Sequence, residues 1–292
     1  MSAAGFGLTR EQAAGIRLLA TDLDGTLLRD DQSVSPRTQA AVAAATAAGI
    51  EVVFATGRPP RWLPAVIDAS GHHAAAIVAN GAAMLDPGTA TLTDLRPIPT
   101  ETVHAVTTRL RERLPEVAFA IEHVPAAGAV WDHEGVFTHE PHYRPHWQPP
   151  HPVTVGDLAG IVGQRGALKL IGRLTDQRLP AEELRDLTHE VVGTEVEVTL
   201  SDPRLQIVEM GATGVNKGTA VARLAARRGW GPASVAAVGD MVNDLSMLTW
   251  AGHPFIVTNA HARLHALGAT RLPTNEEDGV AILLETLVEL RG

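Results

Sequence analysis

Three short apolar runs constrain this chain most: IRLLA (16–20), EVVFATG (51–57) and AAIVANG (75–81), spaced far enough apart to hold helices between them. The first spacer contains VSPRTQAAVAAATAAGI, which reads as a helix with Ser35 as N-cap, Pro36 in the first turn and Gly49 as the stop. Strand, helix, strand at this spacing predicts βαβ units and a parallel sheet, since parallel strands need a crossover. In such sheets ligands gather at the carboxyl ends of the strands. Each run ends there in polar residues: Asp22 and Asp24, Thr56 and Arg58, and Asn80.

The pattern changes further along. MLDPGTATLTDLRPI (84–98) reads as a hairpin around Pro87-Gly88. From Pro99 to Leu205 helices (101–114 and 180–192) mix with strands (117–123, 167–174 and 195–200), around a His-, Pro- and Trp-rich stretch at 131–152. Strand and helix signals alternate again from LQIVEMG (205–211): a helix at 217–228, SVAAVGD (234–240), a helix at 243–251, HPFIVTN (253–259) and an amphipathic close at 279–290. The expected fold class is α/β, with a core built from residues 1–85 and 205–292 and an inserted α+β cap over 86–204.

Composition removes several functions. With 292 residues, 45% of them hydrophobic, the chain can bury a large core. The absence of cysteine excludes disulfides, thiol nucleophiles and cysteine-ligated metals, and fits a reducing compartment. A net charge of −9 argues against a nucleic-acid partner. The first twenty residues lack a signal peptide's pattern, and no window approaches 18 uninterrupted apolar residues. The expectation is a soluble cytoplasmic protein with neither a nucleic-acid nor a membrane partner; its oligomeric state is not legible. GATGVNKGT is not a phosphate-binding P-loop, because Lys217 precedes Gly218 where that motif needs Gly-Lys-Ser/Thr.

Asp22 and Asp24 follow a buried strand, where unpaired charge is expensive. Two like charges ~4 Å apart repel by about 4 kcal/mol at an effective dielectric of 20. A divalent cation removes that cost, and carboxylate oxygens suit Mg²⁺. Asp-Gly also simply favours a turn. A second acidic strand end, GDMVND, brings Asp240 and Asp244 as further candidate ligands, although Asn243 or Asp244 would equally cap a helix.

On the anion-binding side, Thr56 and Gly57 offer a hydroxyl and backbone N–H groups suited to phosphate. Arg58-Pro59 reads either as a phosphate contact or as a surface turn, with the peripheral role favoured. Lys217 opens a helix, where a cation opposes the dipole, so stability alone does not favour it there. The pairs His142/His146 and His261/His265 lack the Glu of a zinc-binding HExxH helix. In the cap, Trp131, His133, His139, Tyr143 and Trp147 are candidates for substrate contact or for packing.

Asp22-Leu23-Asp24-Gly25-Thr26, Ala55-Thr56-Gly57-Arg58, Lys217 and Gly239-Asp240-Met241-Val242-Asn243-Asp244 together closely resemble the four motifs of haloacid dehalogenase superfamily phosphatases. The resemblance is strongest to the Cof-like branch, whose large α/β cap lies between the second and third motifs. It implies a Rossmann-like parallel-sheet core and Mg²⁺-dependent hydrolysis of small phosphorylated metabolites, sugar phosphates foremost. It further implies Asp22 as nucleophile and Asp24 as acid and base. Thr56, Gly57, Lys217 and Asn243 are expected around the phosphate. Asp22, the Asp24 carbonyl, Asp240 and Asp244 are expected around the metal. Arg58, Asn80, His133 and Tyr143 are possible substrate contacts. Thr258 departs from the Gly-Asn-Ala that members often carry after the fifth strand. Alternatives are a dedicated sucrose- or mannosylglycerate-phosphate phosphatase, a phosphomutase, or a phosphate-binding regulator.

Overall fold

A computed structural model describes residues 6–126, 130–132, 135–145, 153–162, 166–174, 179–200 and 204–292. The chain begins α1 (Arg10–Gly15), β1 (Leu18–Thr21), α2 (Pro36–Ala47), β2 (Glu51–Ala55), α3 (Leu63–Ser70), β3 (Ala76–Val78), β4 (Ala83–Asp86) and β5 (Thr91–Thr93). The middle holds α4 (Thr100–Arg113), β6 (Val117–His123), β7 (Phe137–His139), β8 (Thr154–Val155), α5 (Leu158–Ile161), β9 (Ala167–Leu174), α6 (Ala181–Val192), β10 (Val196–Thr199) and β11 (Ile207–Ala212). It ends with α7 (Lys217–Arg227), β12 (Val235–Gly239), α8 (Leu245–Trp250), β13 (His253–Val257), β14 (Thr270–Leu272) and α9 (Gly279–Arg291).

The first sheet has the order β14-β13-β12-β1-β2-β3-β4-β5. It is parallel from β14 to β3, and the hairpin β4-β5 adds two antiparallel strands at one edge. Its apolar strands pack into one continuous core with α2, α7 and α9. From β1 the chain steps outward to β2 and β3 on one side, and from β12 to β13 and β14 on the other. The reversal falls between β1 and β12, which is where an open parallel sheet leaves a crevice for ligands.

The second sheet has the order β10-β11-β9-β6-β7-β8 and is largely antiparallel. Residues alternate between its faces with the period of two that strands impose. Phe119, Ile121 and Leu170 lie in one apolar cluster with Val103, Val106 and Leu110 of α4 and Leu184 of α6. Ala118, Ala120 and Ile171 belong to a separate cluster with Phe137, Tyr143 and Ile207. The fold is therefore an α/β core carrying an inserted α+β cap, as expected.

Sheet membership moves both expected boundaries. β5 lies in the first sheet, although 86 was expected to open the cap. β11 pairs antiparallel with β9 and β10, although 205 was expected to return to the core. Its apolar residues suit either sheet, and only the pairing partners separate the two. Among the described residues no helix is long and apolar enough to cross a membrane.

Candidate active site

Sheet order assembles the site. β1 lies between β2 and β12, so the residues after these strands become neighbours despite their separation in sequence. Asp22 continues the ladder, its N–H donating to the Val238 carbonyl at 3.0 Å. Gly25 then turns the chain with φ +75°, and a Cβ there would stand 2.6 Å from Asp240 Oδ2. Glycine is required on both counts. Thr26 Oγ1 donates to Asp240 Oδ1 at 2.7 Å, tying the first acidic loop to the second.

Lys217 is wholly buried and bonds Asp22 Oδ1 at 2.7 Å and Asp244 Oδ1 at 2.6 Å. Asn216 caps its helix, accepting from the Thr219 N–H at 2.9 Å. Gly218 permits a close approach to α8, since a Cβ there would fall 2.3 Å from the Ser246 carbonyl oxygen. That approach places Lys217 beside Asp244. The unfavourable helix-end position of the lysine is outweighed by two adjacent carboxylates.

Asp22, Asp240 and Asp244 each present an oxygen within 4.8 Å of the others. Burial, partly offset by Lys217, drives Asp22 up to about 7. Burial and repulsion from Asp22 and Asp244 push Asp240 in the same direction. Lys217 itself is held charged, because its carboxylate partners overcome the effect of burial. Three carboxylates against one ammonium leave two negative charges, so the oxygen donors fit a divalent cation in number and chemistry. Asp244 is the most committed, its Oδ2 also accepting from the N–H groups of Asp240 at 3.0 Å and Met241 at 2.9 Å.

Between the two sheets lies a cavity of about 930 Å³, with Asp22, Asp24, Gly57, Arg58, Asp240 and Asn243 on its core side. Arg58 grips the exposed Asp24 side chain through two hydrogen bonds, at 2.8 and 2.5 Å. Thr56 is buried, and its hydroxyl accepts from the Arg58 N–H at 3.0 Å. Asn243 donates to Asn80 Oδ1 at 3.1 Å, while its own Oδ1 is buried with no partner among the described residues. Tyr143 lines the cavity from the cap. His133 and Trp147 lie outside the described residues.

Asn80 differs from the expectation of a substrate contact. It is buried away from the main cavity and donates to Glu209 Oε2 at 2.9 Å. Its left-handed backbone, φ 54° and ψ 29°, turns the side chain into this cluster. Trp131 packs against the large core, and His139 bonds the Glu140 carbonyl. The Thr258 departure is accommodated by a bond from its hydroxyl to the Leu272 carbonyl, while Asn259 still reaches the Gly25 carbonyl at 2.8 Å.

Three charged residues passed unnoticed in sequence: Glu122, Lys169 and Glu209, all buried on cap strands. Each interrupts an apolar strand, the same liability that singled out Asp22. Glu122 takes a two-point bond from buried Arg61, at 2.5 and 3.2 Å. Lys169 Nζ donates to Glu209 Oε1 at 2.6 Å and to the Gly57 carbonyl at 2.5 Å.

The haloacid dehalogenase-like hydrolase family matches residues 19–284, and the chain belongs to it. Over 267 residues it is 27% identical to 5-amino-6-(5-phospho-D-ribitylamino)uracil phosphatase YcsE of Bacillus subtilis (strain 168), covering 91% of this chain and 93% of that protein. It is 28% identical to pyridoxal phosphate phosphatase YbhA of Escherichia coli (strain K12), covering 91% and 96%. The crystal structure of SMU.1108c from Streptococcus mutans UA159 shares the fold with a TM-score of 0.77 at 17% identity, over 94% of this chain and 99% of that one.

Proposed function

We propose that this chain is a Mg²⁺-dependent phosphatase of small phosphorylated metabolites, sugar phosphates among them, working through an aspartyl-phosphate. The observation that carries this reading is Asp22: a buried carboxylate at the cavity floor, within reach of Lys217 and two further acids. Membership of the hydrolase family and the phosphatases among its relatives support the reaction class.

Lys217 holds Asp22 in place and offsets its charge, leaving the second carboxylate oxygen to attack phosphorus. As the new P–O bond forms, the ester P–O bond breaks and the leaving alkoxide takes a proton from Asp24. Asp24 then removes a proton from water, which attacks the aspartyl-phosphate, releases inorganic phosphate and restores Asp22. In this structure Arg58 donates two hydrogen bonds to the Asp24 carboxylate. The acid role requires that pair to open and Asp24 to take up a proton. Thr56, Gly57 and Asn243 surround the phosphoryl oxygens. Asp22, Asp240, Asp244 and the Asp24 carbonyl would hold a Mg²⁺ ion, which would supply positive charge to offset repulsion between the carboxylate and a dianionic ester.

Asp22→Asn is expected to lower kcat by roughly 10³-fold or more, as loss of a nucleophile does. Turnover of p-nitrophenyl phosphate at the native rate in that variant would defeat the mechanism.

A further inference from the structure

One contact between cap and phosphate loop comes from a buried residue that none of the four motifs contains. Lys169 projects from β9 with only 5% of its surface exposed, yet its ammonium reaches the Gly57 carbonyl in the core. Glu209 on β11 holds the same ammonium, and it also accepts from Asn80, which accepts in turn from Asn243. A buried ammonium is costly to maintain, and among the described residues this one is satisfied by one group from each half of the molecule.

We infer that Lys169 is a positioning residue that sets the phosphate-binding loop from the cap. It acts through the single peptide group joining Gly57 to Arg58. The carbonyl of that peptide accepts from Lys169, and its N–H donates to Thr56 Oγ1. A cation on the carbonyl polarises the peptide and strengthens its N–H as a donor. With its oxygen already accepting, the Thr56 hydroxyl turns its own proton toward a phosphoryl oxygen. The loop thereby acquires its phosphate-binding geometry when the cap is seated. Glu209 keeps Lys169 aimed, and through Asn80 it links the same cap strands to Asn243 on the opposite side of the site.

This proposal rests on the phosphatase reading, and the experiment separates the two. Inorganic phosphate binding is measured by calorimetry in Mg²⁺ buffer for the wild type, Lys169→Met, Lys169→Arg and the double variant Lys169→Met/Glu209→Gln. The double variant avoids leaving the Glu209 carboxylate buried without its ammonium, so a folded protein lacking the lysine can be studied. Both variants lacking the ammonium are expected to bind phosphate about 10- to 100-fold more weakly, the scale of a misplaced binding group. Their kcat should fall by a similar factor for acetyl phosphate and for glucose 6-phosphate alike, and Lys169→Arg should recover part of both losses. Native phosphate affinity in the folded double variant would overturn the proposal. So would a loss confined to KM and to one ester, which would make Lys169 a contact for the leaving group. A wild-type protein that neither binds phosphate nor hydrolyses any ester would defeat the phosphatase reading itself, and this proposal with it.

Discussion

At the scale of single residues, burial of like charge governs the site. Asp22 moves from an ordinary 3.8 to about 7, chiefly through burial, and Asp240 moves the same way. An acid whose folded pKa is raised binds its proton more tightly when folded, so stability is lost as pH rises from the unfolded value to the folded one. Chelator-treated protein should therefore become less stable between about pH 4 and pH 7. A bound cation favours the ionised acids, so Mg²⁺ should raise Tm more at pH 8 than at pH 5. Thermal melts at the two pH values, with and without Mg²⁺, check this. An equal increment at both would contradict the assignment of these acids to a metal.

At the scale of elements, helix ends and close approaches aim the functional groups. Asn216 caps α7 through a reciprocal arrangement with Thr219, immediately before Lys217. Asn216→Ala should cost about 1 kcal/mol of stability. For a chain of this size that corresponds to a Tm drop of roughly 2–4 °C. Denaturant titration at constant m-value would report it. Strands β1, β2, β3, β12 and β13, the hairpin and helices α2, α4, α6, α7 and α9 were legible in the sequence from their apolar patterning. α3, β7, β8 and β14 were not, being short segments whose conformation depends on neighbours distant in the chain.

At the scale of the whole molecule, two buried cations stitch cap to core: Lys169 to Gly57, and Arg61 to Glu122. The Arg61 guanidinium also lies 5.0 Å from the Trp62 ring and 5.2 Å from the Phe137 ring, so core and cap enclose it together. Burial raises Glu122, and Arg61 partly opposes that shift. Arg61→Met leaves a buried carboxylate without its main partner and should destabilise the protein by about 3–5 kcal/mol. Arg61→Met/Glu122→Leu should lose markedly less, because neither charge then remains. Equilibrium unfolding of the single and double variants would show the difference, and a double variant as unstable as the sum of its parts would refute the coupling.

The sequence by itself determined the parallel core with its insertion, and it pointed to candidate residues at the strand ends. Asp22, Thr56, Lys217 and Asp240 could be read because each sits at the end of an apolar run or the start of a helix, where local chemistry offers no structural reason for it. Tertiary structure alone decided that β11 pairs within the cap, that Asn80 turns away from the cavity, and that Arg58 holds Asp24. It also made Lys169 a neighbour of the phosphate loop, 112 residues from Gly57 along the chain. The division has a physical origin. Periodicity, capping and turn chemistry act over a few residues and are written locally, whereas the partner of a buried charge is chosen by how two sheets pack.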